Sequence, residues 1–163
     1  MLMEAPQFLI ALEQSPLAAA IRQSVWGYPA ANVGHILALT LFAGAVVTMD
    51  ARLLGAFAAA PPASVVRPAR RVAMLGLVLM LLTGSALFLA EASHVAMNRV
   101  FQVKAILIAL GLLNALLVGR ALREVLDDAP AFEPLPAGVR FAAGLSLLIW
   151  LSVAACGRLI AYF

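Results

Sequence analysis

The chain has 163 residues, 64% of them hydrophobic and only 12% charged. Soluble domains run nearer half apolar and a quarter charged, and a domain of this size must still clothe a large surface. A mean hydropathy of +1.03 over the whole length therefore excludes an ordinary soluble core and makes lipid the expected solvent. The net charge of +3 does not point to nucleic acid as a partner, because the basic residues stand mostly at the ends of apolar runs, where they act as topology signals. The single cysteine, Cys156, excludes an internal disulfide.

Residues 1–25 are expected to form an interfacial helical segment. Pro6–Glu13 and Pro16–Gln23 read as two short helical pieces, with Phe8, Leu9, Ala11 and Leu12 as an apolar face in the membrane interface. Glu4 and Glu13 precede any strong apolar run and no basic stretch opens the chain, so no cleavable signal peptide is expected. Trp26-Gly27-Tyr28-Pro29 then supplies an aromatic anchor and a helix start.

Four apolar segments follow, each long enough to cross about 30 Å of hydrocarbon. They run over about residues 30–49, 72–90, 103–119 and 141–162. Thr40, Gly44 and Thr48 repeat at every fourth position of the first, and Gly111, Ala115 and Gly119 do so on the third. Each row is a small-residue seam of the kind that lets membrane helices pack closely. Asp50, at the end of the first span, is expected to pair with Arg52 or with a basic residue of another connection and so clamp the bundle end. Ser64, after Pro61-Pro62, is expected to cap the second span. Asn114 reads as interhelical glue and Trp150 as packing. Asp127 to Pro136 is rich in proline and acidic residues and reads as an extended loop. The predicted fold is all-α, a single-domain integral membrane four-helix bundle over residues 1–163.

Orientation follows from the basic residues. The connections between spans one and two and between spans three and four hold Arg52, Arg67, Arg70, Arg71, Arg120, Arg123 and Arg140. Arg22, Arg99, Lys104 and Arg158 stand on the other side. The positive-inside rule then puts both termini outside.

Ionisable groups within spans are costly, and each is a candidate functional site. At a rise of about 1.5 Å per residue, His35 lies roughly 10 Å below the outer interface, and Cys156 reaches a similar depth from the same side. Lys104 and Arg158 are shallower, Glu91 sits at the outer end of span two, and Asn32 shares a helix face with His35. These groups gather in the outer half. Lys104, Arg158 and Arg99 have only Glu91 as an internal acidic partner, so the surplus either snorkels to water or favours an anionic lipid headgroup, a quinone oxygen or haem propionates.

His35 could serve as a haem b ligand, as a metal ligand or as a hydrogen-bonding histidine. A haem held between His35 and His94 meets a depth mismatch, since His94 lies beyond Glu91 at or past the membrane surface. A copper site would draw on His35, Cys156 and His94 with Met97, soft and borderline ligands suited to Cu(I), but no paired ligand spacing supports it. No nucleophile–base pair or phosphate-binding loop is present, so an enzyme is not the expectation.

Several stretches together carry a resemblance. They are Trp26-Gly-Tyr-Pro29 with His35, Asp50-Ala-Arg-Leu-Leu-Gly55, Thr83-Gly84 with Leu87-Phe88, Asn98-Arg-Val-Phe101 with Lys104 and Asn114, and Ser146-Leu-Leu-Ile-Trp150 with Gly157-Arg158-Leu-Ile-Ala-Tyr162. From about residue 24 onward the chain resembles an uncharacterised family of small four-span bacterial inner-membrane proteins. That architecture is also loosely similar to copper-resistance membrane proteins and to membrane subunits of b-type cytochromes. The resemblance implies the fold and topology and draws attention to His35, Lys104 and Arg158. The family often places an acidic residue shortly before the span-one histidine, where this chain has Asn32, Val33 and Gly34; His94 is not part of its pattern. The leading expectation is a non-enzymatic accessory subunit that binds an anionic lipid, quinone or cofactor in its outer half. Haem b electron transfer through His35 and copper handling are the alternatives. The bilayer, other membrane subunits or further copies of the chain are the expected partners.

Overall fold

A computed structural model of the chain describes residues 5–160 and 162. In chain order it contains α1 (Gln7–Glu13), α2 (Pro16–Gln23), α3 (Gly27–Leu54), α4 (Pro62–Ala90), α5 (Ala92–Met97), α6 (Arg99–Asp128) and α7 (Ala137–Leu159), with no strand among the described residues. The helices α3, α4, α6 and α7 are long and apolar enough to cross a membrane. Even α7, at 23 residues, reaches about 35 Å, more than the hydrocarbon thickness. Leu37, Leu82, Leu117 and Leu148, one from each long helix, point outward and are exposed. An apolar exterior of that kind is stable only against lipid. The all-α four-helix bundle expected from the sequence is the architecture found.

Packing is uneven around the bundle. α3 lies along α4, α6 lies along α7, and the two pairs meet where α3 crosses α7, whereas α4 and α6 barely touch. The α3–α4 contact is made possible by Gly76, where a Cβ would stand 2.9 Å from the backbone of Phe42. Phe42 in turn meets Trp150 of α7 edge-on, with ring centroids 4.6 Å apart, and Gly111 of α6 makes room for the same indole. Of the third-span row, Gly111 meets α7 and Gly119 meets the Arg70 side chain of α4, while Ala115 is exposed; Trp150 packs as expected. In the first-span row, Thr40, Gly44 and Thr48 are exposed, and both threonines return their hydroxyls to their own helix, at Ile36 O and Gly44 O. Nothing lies within 4 Å of the point a Cβ on Gly44 would occupy.

The long helices outrun the apolar windows at the end that carries the α3–α4 and α6–α7 connections, here called the arginine-rich end. α3 closes at Gly55, whose φ of 115° places it in the left-handed region. The hydrogen bonds Ala56 N to Ala51 O and Gly55 N to Arg52 O complete the usual glycine stop. α4 begins at Pro62 with Pro61 as its cap, so Ser64 lies inside the first turn and does not cap it; its hydroxyl donates to Pro61 O. α6 continues to Asp128, well beyond the apolar run, so the extended stretch is confined to the residues that follow. Backbone pairing of Phe132 N with Ala58 O joins the two connections. A core of Leu53, Val66, Leu122, Leu126, Leu135 and Val139 fills this end.

The opposite end is closed by the short helices. α1 and α2 fall where the two predicted helical pieces lie, and residues 1–4 of that segment are outside the described residues. The Glu13 carboxylate accepts from the backbone N–H of Ser93 at 2.9 Å and also from its hydroxyl. Arg22 donates to Glu13 O and Ala90 O, each at 2.8 Å. Together they tie α1 and α2 to the joint between α4 and α5, the one helix that hydropathy gave no reason to expect.

Candidate functional site

The arginine-rich half of the bundle encloses a pocket of about 260 Å³ bounded by α3, α4, α6 and α7. It lies between the two packing clusters. Phe42 and Val46 form one wall and Leu53 and Leu122 another, and four polar side chains, Asp50, Arg70, Asn114 and Ser146, stand among them. Each is delivered by a different helix, so only the tertiary fold brings the four together.

Asp50 is the central feature. It sits one turn before the end of α3 and is only 1% exposed. Ser146 of α7 faces it as a hydrogen-bond donor, yet its Oδ2 is buried without a partner. Leaving a buried charged group unsatisfied costs more than the roughly 1–3 kcal/mol of an unsatisfied neutral one, so such an atom calls for an explanation. The expected clamp between Asp50 and Arg52 does not form. Arg52 points the other way, is 2% exposed, and forks onto Ala60 O with Nε at 3.0 Å and Nη2 at 2.8 Å. Two residues apart on a helix, the side chains cannot share a face. Arg52 fastens the connection, and Asp50 is left to the pocket.

Arg70 reaches into the pocket from α4. Its guanidinium lies across Gly119 of α6, so close that a Cβ there would stand 3.0 Å from Nη2. Asn114 donates its amide to Ala142 O at 3.0 Å, joining α6 to α7 as expected, and also lines the cavity. The wall between α4 and α6 is the thin one. Those helices approach at the Arg70–Gly119 contact and again at the stacked rings of Phe88 and Phe101, 5.5 Å apart, while Met74 and Leu116 on either side of the gap are exposed. The pocket therefore faces the surrounding lipid sideways.

The residues singled out from the sequence lie toward the other end. His35 Nδ1 and Thr83 Oγ1 are 2.9 Å apart. The Thr83 hydroxyl donates to Leu79 O at 2.7 Å, which leaves its oxygen free to accept from His35 in the tautomer that carries hydrogen on Nδ1. Gly84 packs on the ring edge. Lys104 is half-buried, rests against Gly157 and is near enough to His35 and Cys156 to interact with both electrostatically. The structure thus brings His35, Lys104 and Cys156 into one neighbourhood. The other candidates are exposed. Arg158 is exposed, donates to the Tyr162 hydroxyl at 2.7 Å and lies over that ring; Asn32 and His94 are exposed; Glu91 is exposed at the α4–α5 joint, facing Tyr28. No group of three or more His, Cys, Asp or Glu side chains converges among the described residues.

Asp50 and Arg70 were read from the sequence as a clamp and a topology signal. The available signal was a carboxylate at the very end of an apolar run, without a basic residue three or four positions away.

No curated protein and no solved structure matches the chain, and the looser likeness to copper-resistance proteins and cytochrome subunits is not shown. A family model covers residues 20–163, nearly the whole bundle with α3 to α7. The chain belongs to a family of unknown function (DUF6644).

Proposed function

We propose that this chain is a multi-pass protein of the bacterial inner membrane that binds one small amphiphile in the Asp50 pocket, as a non-enzymatic accessory subunit. The observation that carries the reading is the Asp50 carboxylate oxygen, buried and unpartnered in a cavity that Arg70 also lines. A ligand donor at Asp50 would remove the cost of that burial, and the apolar walls would hold the rest of the molecule. The proposal moves the binding site away from the His35 half. It also disfavours the anionic lipid expected there, since a second negative charge beside Asp50 is repelled. With seven of its eleven basic residues at the pocket end, that end faces the cytoplasm and both termini face outward.

The test is mass spectrometry of the whole chain purified from its native membrane in mild detergent. One co-purifying small molecule per chain is expected, and it is lost in Ala115→Trp, which fills the pocket from its exposed side. Protein that carries nothing, or an Ala115→Trp variant that melts normally and keeps its cargo, overturns the reading. The same sample tests His35: haem b would give a Soret band, and copper would appear in proportion to protein and vanish in His35→Ala.

A further inference from the structure

The pocket's polar groups have a pattern that selects among amphiphiles. Asp50 presents a bare acceptor oxygen, whereas Arg70 presents a guanidinium that makes no ion pair among the described residues. Both line one cavity, yet neither neutralises the other. A bound group that satisfies both must carry a hydrogen-bonding cation and an anion a short distance apart. A purely anionic headgroup would suit Arg70 and be repelled by Asp50. A quinone offers acceptors to Arg70 but no donor to Asp50.

Size and access narrow the choice. At about 260 Å³ the cavity falls below the roughly 300–1,000 Å³ that encloses a drug-sized ligand. It holds a headgroup, and the remainder of the molecule must lie outside. The thin wall between α4 and α6 leads into lipid at the level of the arginines, where phospholipid headgroups lie, and Met74, Leu77, Leu112 and Leu116 continue the path with apolar surface.

Resting on the proposed ligand-binding role, we infer that the pocket binds a phospholipid whose headgroup bears a primary amine, of the phosphatidylethanolamine class. The ammonium donates to Asp50 Oδ2 and the phosphate accepts from Arg70. A quaternary choline headgroup has the same net charge but no N–H to donate, so the site tells the two apart at Asp50. Approach from the bilayer, not from water, identifies the ligand as a lipid and not a soluble phosphoethanolamine.

The experiment is native mass spectrometry of the delipidated whole chain, titrated separately with dioleoyl phosphatidylethanolamine, phosphatidylcholine and phosphatidylglycerol. The ethanolamine lipid is expected to bind about tenfold more tightly than either of the others, the difference one charge-assisted hydrogen bond makes. Asp50→Asn should erase the preference over choline, and Arg70→Gln should weaken all three lipids together. Equal binding of the ethanolamine and choline lipids, or a preference that survives Asp50→Asn, overturns the inference while leaving the pocket reading standing if Ala115→Trp still abolishes binding. Failure of all three lipids to bind at the pocket, with another amphiphile recovered from the native membrane, also overturns it but not that reading. Displacement of the lipid by glycerophosphoethanolamine at equal concentration overturns the lipid assignment. Melting curves of each variant in detergent separate lost binding from lost fold.

Discussion

Gly76 of α4 and Phe42 of α3 are packed backbone to backbone, with only 2.9 Å between the Phe42 nitrogen and the point a Cβ on Gly76 would occupy. That contact sets the distance between the two most intimately packed helices and holds Phe42 against Trp150. Gly76→Ala should therefore force α3 and α4 apart and destabilise the bundle by about 2 kcal/mol, seen as a lower melting temperature in detergent. Gly44→Ala provides the contrast. Nothing lies within 4 Å of its Cβ position, so it should gain helix propensity, about 0.5–1 kcal/mol, at no steric cost. Equal responses from the two glycines would show that the α3–α4 spacing is not set at Gly76.

The Asp50 pocket predicts a trade of stability for binding. Ligand-free Asp50→Asn replaces a buried, partly unsatisfied carboxylate with a neutral amide, which Ser146 can still contact. The empty variant should melt several degrees higher than the parent, corresponding to about 1–3 kcal/mol, while holding its ligand less well. A variant that melts lower when empty would mean that Asp50 is satisfied within the protein, contrary to its bare Oδ2.

How far the sequence carried this picture depends on whether a property is local. Lengths of the apolar runs and Pro and Gly at their ends are local, and they place the four long helices and even α1 and α2. Burial direction is not local. Thr40, Gly44 and Thr48 look like a packing seam by spacing alone, but their face is turned outward, and the closest approach uses Gly76 instead. Asp50 and Arg52 are a similar case: adjacent charges suggest a pair, and the helix turns them to opposite sides. The His35, Lys104 and Cys156 neighbourhood was foreseeable because depth in a membrane follows from counting residues. The Asp50, Arg70, Asn114 and Ser146 pocket was not, because it depends on the gap left where α4 and α6 fail to pack.

Arg52 is a structural cation, and the geometry says how it should respond. Its two nitrogens converge on Ala60 O from a buried position, and its charge lies near the C-terminal carbonyls of α3. Arg52→Lys keeps the charge but loses the fork and should cost about 1–2 kcal/mol. Arg52→Ala also leaves a hole in the α3–α4 connection and should cost about 3 kcal/mol or more. Thermal melting of both variants checks the order. If Lys proved equivalent to Arg, charge alone and not the fork would hold the turn.

The N-terminal clasp should respond to acid. The Ser93 hydroxyl and then its backbone N–H donate to the Glu13 carboxylate and hold it below its usual value of 4.5, with Arg22 and His94 adding smaller attraction and partial burial opposing. A carboxyl whose value is lowered on folding stabilises the folded form fully above the unfolded value, and that contribution disappears as pH falls through the folded value. The clasp between α1 and α5 should therefore be intact at pH 6 and loosen as pH falls below 4.5. A nitroxide on α1 at Gln7→Cys, in a Cys156→Ala background in nanodiscs, should report increasing motion over that acid range. Glu13→Gln keeps the shape but gives up the charge, so its spectrum should already be loosened at pH 6 and should change little on acidification. If the Glu13→Gln protein still showed the full acid transition, the pH response would have to be assigned to a group other than Glu13.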